Sequence, residues 1–109
     1  MKPRHIVILG YDGIMGLDLV GPMEAFACAH VSSPKAGTET CYRVTLAALE
    51  TKTFRSEFGL TITAEKSLDC IRDVDTLLIP GGRGLRESNG QPKLTAWLRK
   101  NAGFLLPLV

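Results

Sequence analysis

Two carboxylates and one glycine-rich turn are the groups in this sequence best suited by type and spacing to do chemistry. Asp18 and Glu24 lie six positions apart across Gly21-Pro22. If that pair separates a turn from a helix, Asp18 sits in the turn, Glu24 projects from the helix, and both reach one cleft. A carboxyl buried beside another acid is driven toward its neutral form, so one of the two could give or take a proton near neutral pH. The alternative is helix capping by Asp18 with Glu24 in water, since acids favour helix N-termini through the macrodipole. Pro80-Gly81-Gly82-Arg83-Gly84 follows an apolar run. Backbone N–H groups without Cβ atoms beside them can approach an oxyanion closely, so Gly81 and Gly82 could form half of an oxyanion hole. The plainer reading is a tight turn that needs positive φ.

The thiols and imidazoles offer less. Cys28, Cys41 and Cys70 are odd in number and irregularly spaced, with no C-x-x-C pair, which argues against a disulfide framework or a zinc site. A thiol nucleophile needs a lowered pKa, usually from a helix N-terminus or a basic neighbour. None of the three falls at a strand-to-helix turn, and core or surface roles are expected. His5 and His30 begin a strand and end a helix without a partner at ligand or triad spacing, so bland roles are expected for both. Gly10, Gly13 and Gly16 lack the G-x-G-x-x-G spacing of a dinucleotide site. No cofactor and no metal site is expected.

The elements that must position these groups follow from the hydrophobic pattern. His5 to Leu9 is an apolar, β-branched run ended by glycine, the mark of a strand buried on both faces. A helix is predicted from about Gly21 to Ala29, with Pro22 in its first turn and Leu17, Val20, Met23 and Ala27 at roughly helical spacing. Ser32 to Gly37 reads as a polar loop and Tyr42 to Ala47 as a strand. Lys52 to Thr63 suggests a short hairpin or two ladder segments on one edge of the sheet. Ser67 to Ile71 predicts a helical turn, and Thr76 to Ile79 a fully apolar strand. Pro92 to Lys100 predicts a helix with Leu94, Trp97 and Leu98 on one face and Gly103 as its cap. Strands alternating with helices imply βαβ crossovers, hence a single α/β domain over residues 1–109 with a parallel sheet and helices on both faces. Ligands gather beyond the carboxyl ends of such strands, and the glycine-rich exits after Leu9 and Ile79 should open on that edge.

Composition narrows the function classes. A chain of 109 residues with 45% apolar and 22% charged residues has enough material for one core. Its formal charge of +2, with scattered Lys and Arg, lacks the basic stripe of a nucleic-acid surface, so no direct nucleic-acid contact is expected. The apolar run Ile6 to Leu9 ends at Gly10-Tyr11-Asp12, too short for a signal or an anchor. No stretch approaches the roughly 20 apolar residues of a membrane span. Unpaired cysteines point to a reducing cytoplasm.

Taken together, Ile6-Val7-Ile8-Leu9, Tyr11-Asp12-Gly13, Leu17-Asp18-Leu19-Val20-Gly21-Pro22-Met23-Glu24-Ala25-Phe26 and Leu78-Ile79-Pro80-Gly81-Gly82 resemble the ThiJ/PfpI (class I glutamine amidotransferase-like) family. The D-L-x-G-P-x-E-x-F stretch is similar to two of its branches, isocyanide-hydratase-like enzymes and the amidase-like N-terminal domains of AraC-type transcriptional regulators. The resemblance implies a flavodoxin-like sandwich with a cysteine at a strand-to-helix elbow, a helix acid matching Glu24, an aspartate matching Asp18, and an oxyanion N–H from Gly82. The elbow cysteine has no counterpart: Gly103-Phe104-Leu105-Leu106-Pro107-Leu108-Val109 occupies the start of that region. The expectation is therefore a partial domain, incomplete on its C-terminal side. It would be the non-catalytic, ligand-sensing part of a regulator, binding a small molecule and forming a homodimer. A hydratase or amidase-type hydrolase, and a dimerisation module, are the alternatives.

Overall fold

Ile6-Val7-Ile8-Leu9 leaves no polar position on either side of an extended chain, so the strand it forms must be covered on both faces. The computed structural model describes residues 2–35, 37–86 and 92–101. In chain order its elements are β1 (Arg4–Gly10), α1 (Gly16–Cys28), β2 (His30–Ser33), β3 (Gly37–Thr40), β4 (Tyr42–Ala48), β5 (Thr53–Arg55) and β6 (Thr61–Thr63). There follow β7 (Lys66–Ser67), a 3-10 turn (Leu68–Cys70), β8 (Thr76–Leu78), α2 (Arg83–Arg86) and α3 (Pro92–Asn101). The expected flavodoxin-like α/β architecture is present, built on a parallel sheet of order β7-β4-β1-β8.

β1 is buried from His5 through Gly10, and the core is centred on it: Val7, Ile8, Leu9, Ile14 and Leu19 are at most 1% exposed. Each such side chain contributes about 1.5–3 kcal/mol by leaving water. β8 is half-buried at every residue rather than enclosed as its apolar sequence suggests, because among the described residues it has a sheet neighbour on one side only. α3 buries Leu94 and Trp97 with Leu98 beside them, as its pattern requires. Its proposed Gly103 cap lies outside the described residues.

Three expectations change. α1 begins at Gly16, so Pro22 stands in the helix interior, where it cannot donate to the carbonyl of Asp18. Asp18 and Gly21 are exposed, which lets water satisfy that carbonyl. The helix is phased by buried Ile14 and by the Met15 N–H, which donates to Gly81 O at 2.9 Å. It therefore turns Leu19, Met23 and Phe26 to the core, while Leu17 (77%) and Val20 (41%) face solvent. Second, the expected polar loop is partly strand: Ser32 and Ser33 end β2 and Gly37 opens β3, and the two pair as a hairpin from His30↔Thr40 to Ser33↔Gly37. Third, the expected hairpin forms, β5 with β6, but as a separate ribbon instead of on the edge of the main sheet. The buried Phe54 ring from this ribbon packs so closely on Gly10 that a Cβ there would overlap it.

His5 and Thr45 are the buried polar residues of the sheet. His5 Nδ1 faces the carbonyls of Arg72 and Asp73, each at 3.2 Å, and these can only accept, so Nδ1 carries the hydrogen. In the neutral ring Nε2 accepts from the Thr45 hydroxyl at 2.8 Å. The His5 N–H donates to Asp75 Oδ2 at 2.7 Å, and the Asp75 N–H donates to His5 O at 3.0 Å. A residue that the sequence suggests is bland thus ties β1, β4 and the approach to β8 together. No helix among the described residues is long and apolar enough to cross a membrane.

Candidate functional site

Because β1 and β8 are adjacent and parallel, the turns that leave them emerge on one edge, and backbone bonds join them there. Besides the Met15–Gly81 bond, the Gly84 N–H donates to Gly13 O at 3.1 Å, and Ile14 pairs with Gly82 in an antiparallel bridge. A Cβ on Gly82 would stand 2.5 Å from Gly13 O and 2.7 Å from both Ile14 Cα and Met15 N. Glycine at 82 is thus required by close approach. Among the described glycines positive φ belongs to Gly13, Gly37 and Gly59, so the tight-turn reading of Gly81-Gly82 does not describe this site.

Asp18 lies in the first turn of α1, whose N-cap, Met15, makes no side-chain capping bond. The Asp18 carboxylate reaches over Gly81, with Oδ2 3.1 Å from the position a Cβ would take there. Glu24 is on the same unbroken helix. Six residues carry it about 9 Å along the axis and about 240° around it, and it is exposed, its side chain making no hydrogen bond or ion pair to another described residue. The structure brings Asp18 to Gly81 and Gly82 and does not bring Glu24 there, because one helix replaces the expected turn and helix.

Four further residues flank these turns. The buried Tyr11 hydroxyl donates to Pro80 O at 2.6 Å. Its pKa is pushed up from 10.0 to about 12, chiefly by burial, with the Asp18 and Glu57 carboxylates acting in the same direction and Arg86 opposing them. Glu57, at the turn of the β5–β6 ribbon, has a side chain only 5% exposed. Its Oε1 meets Arg83 at 3.4 Å and Arg86 at 3.8 Å, Oε2 accepts the Arg83 N–H, and its own N–H donates to Ile14 O. Tyr11 had a signal, its place in the turn between the two motifs. Glu57, Arg83 and Arg86 had none, since no spacing rule links a hairpin turn to residues 26 and more positions away.

The Tyr11 shift has a testable sign. Its folded pKa lies above its ordinary value, so the neutral phenol's contribution is fully present below about pH 10. It is lost as pH rises through about 12, a change of about 2–3 kcal/mol. Tyr11→Phe is expected to lower the melting temperature by about 4–8 °C at neutral pH, through loss of one buried hydrogen bond. It should also blunt the fall in melting temperature across this alkaline window. Melts of both proteins along a pH series check this, and equal alkaline losses would count against the assignment.

The free cysteines lie elsewhere. Cys28 ends α1 and Cys41 immediately precedes β4, both toward the opposite edge of the sheet, and Cys70 is in the 3-10 turn after edge strand β7. Among the described residues no group of three or more His, Cys, Asp or Glu side chains is arranged to hold a metal ion.

The DJ-1/PfpI family model matches residues 4–103. A curated Streptomyces lividans protein, described as an uncharacterized protein in the cpoL 5'region, is 32% identical over 94 residues, covering 86% of this chain and 62% of its own. The crystal structure of a THiJ/PfpI family protein from Pseudomonas syringae superposes with a TM-score of 0.69 at 24% identity, over 96% of this chain and 40% of its own. Drosophila melanogaster DJ-1beta superposes with a TM-score of 0.67 at 16% identity, over 94% of this chain and 51% of its own. The chain thus spans 62% of the curated relative's length and 40% and 51% of these two structures. With the family match running through both the Asp18 turn and the Gly81-Gly82 turn, the chain belongs to the DJ-1/PfpI family.

Proposed function

We propose that this chain is a small-molecule-sensing domain, the N-terminal part of an AraC-type transcriptional regulator, which binds its ligand beside Asp18 and Gly81-Gly82 without transforming it. One observation carries this reading: Asp18 lies over the glycine turn between β1 and β8, whereas Cys28 and Cys41 stand toward the opposite edge of the sheet and Cys70 follows β7, three strands from β8. The backbone N–H groups of Gly81 and Gly82 donate to no other described residue, which suits them to a ligand oxygen. The regulator assignment rests on the resemblance of the Asp18-to-Glu24 stretch to that branch. A cytoplasmic setting is proposed from the unpaired thiols. Leu17, Val20, Phe58 and Leu60 are exposed, and a second copy of the chain covering them would make the proposed homodimer.

A thermal-shift screen of small metabolites tests the reading. A ligand that raises the melting temperature should bind Asp18→Asn about tenfold more weakly, the loss of one charge-assisted hydrogen bond. Undiminished binding to Asp18→Asn would sink the placement. A hydratase or hydrolase reading is supported by the carboxylate lying directly over the oxyanion-type turn. Product formed from an aliphatic isocyanide, and lost in Asp18→Asn, would favour it over sensing.

A further inference from the structure

Glu57 is nearly out of water, yet the two guanidinium groups that meet it, those of Arg83 and Arg86, are 55% and 65% exposed. One carboxylate oxygen engages a terminal nitrogen of each, at 3.4 and 3.8 Å. These contacts are longer than the roughly 2.7–2.9 Å of a strong charge-assisted bond. The backbone brings a third arginine alongside: Gly13 donates its N–H to Arg55 O at 2.8 Å and accepts from the Gly84 N–H at 3.1 Å. Arg55 and Arg83 therefore wall an open cleft of about 560 Å³ with Gly13 in its lining. Gly13 has φ 81°, and a Cβ there would come within 2.7 Å of Gly84 backbone atoms, so only glycine fits at this point of the lining.

The charged side chains in the cleft lining are Arg55, Arg83 and two carboxylates, with Arg86 reaching Glu57 from beside it, and both carboxylates turn to protein donors. Asp12 Oδ1 accepts the Arg55 N–H at 3.0 Å and Glu57 Oε2 accepts the Arg83 N–H at 3.4 Å. Guanidinium forks match the planar oxygens of carboxylate and phosphate groups. The geometry points to a second binding site, over Gly13 and between Arg55 and the Arg83–Arg86 pair, that takes the carboxylate or phosphate group of a small anion in competition with Glu57. It stands independently of the ligand placement at Asp18.

The test is an amide NMR titration of the chain with inorganic phosphate, and separately with acetate, at constant ionic strength, following Gly13, Gly59 and Gly84. Saturable shifts are expected, the tighter anion showing whether phosphoryl or carboxylate groups are preferred. Arg55→Gln and Arg86→Gln should each weaken binding about 2–5-fold, as for partly exposed charge pairs, and Glu57→Gln should tighten it by a similar factor. Arg55 is exposed, so its variant reports even if Glu57→Gln loses the fold. Asp18→Asn should not weaken the phosphate response, which separates this site from the one proposed above. No saturation with either anion, or titrations unchanged in Arg55→Gln, would overturn the inference.

Discussion

Gly82→Ala is expected to destabilise the protein by about 2–4 kcal/mol, the upper range for forcing a methyl group into a packed site. In a chain of this size that is a fall of roughly 10–20 °C in melting temperature. The size follows from what the methyl group meets: Gly13 O, Ile14 Cα and Met15 N are all backbone atoms, and none can rotate aside. Relief would require the β1–α1 turn to separate from the Pro80-Gly81-Gly82 turn, which would break the Ile14↔Gly82 bridge and the Met15–Gly81 bond that phases α1. Gly81→Ala is the control. Its Cβ would meet only Asp18 Oδ2, at 3.1 Å, the far end of an exposed side chain that can move, so a change under about 1 kcal/mol is expected. Thermal and urea melts of the two variants decide it, and a Gly82→Ala melt within a degree or two of the parent would show that the turns do not pack this closely.

His5→Leu carries the second large effect, a loss of about 2–4 kcal/mol measured by urea unfolding. Leucine is close enough in size to stay buried, so the loss comes from polar groups left without partners. These are the Thr45 hydroxyl and the carbonyls of Arg72 and Asp73, all held to the ring in the parent. The backbone exchange between His5 and Asp75 does not use the ring and should survive. His5→Leu with Thr45→Val removes both ends of the 2.8 Å bond, and should be less destabilising than the sum of the single changes, because two partners removed together leave no orphan between them. Strict additivity would mean that His5 acts by filling space alone.

Much of the scaffold was legible because its signals are local. The apolar runs at Ile6 to Leu9 and Thr76 to Leu78, each ended by glycine or proline, name the strands. Leu94, Trp97 and Leu98 name the packed face of α3. Once strands and helices alternate, a parallel sheet follows, and its geometry alone puts the Asp18 turn and the Gly81-Gly82 turn on one edge. The start of α1 was not legible. Proline inside a helix costs about 3 kcal/mol, which makes Gly21 the natural start, but tertiary bonds at Ile14 and Met15 extend the helix back to Gly16. That extension separates Glu24 from Asp18 and turns Leu17 and Val20 outward.

By itself, then, the sequence determined the α/β architecture, the family and the meeting of Asp18 with the glycine turn, because each depends on patterns a few residues long. Only the tertiary structure decided that Gly82 must be glycine for close packing, that Tyr11 is buried against Pro80, that His5 clamps the sheet, and that Glu57 gathers Arg83 and Arg86. Those facts are distances between segments remote in the chain. They depend on how closely two turns and a hairpin approach, and residue periodicity carries no record of that approach.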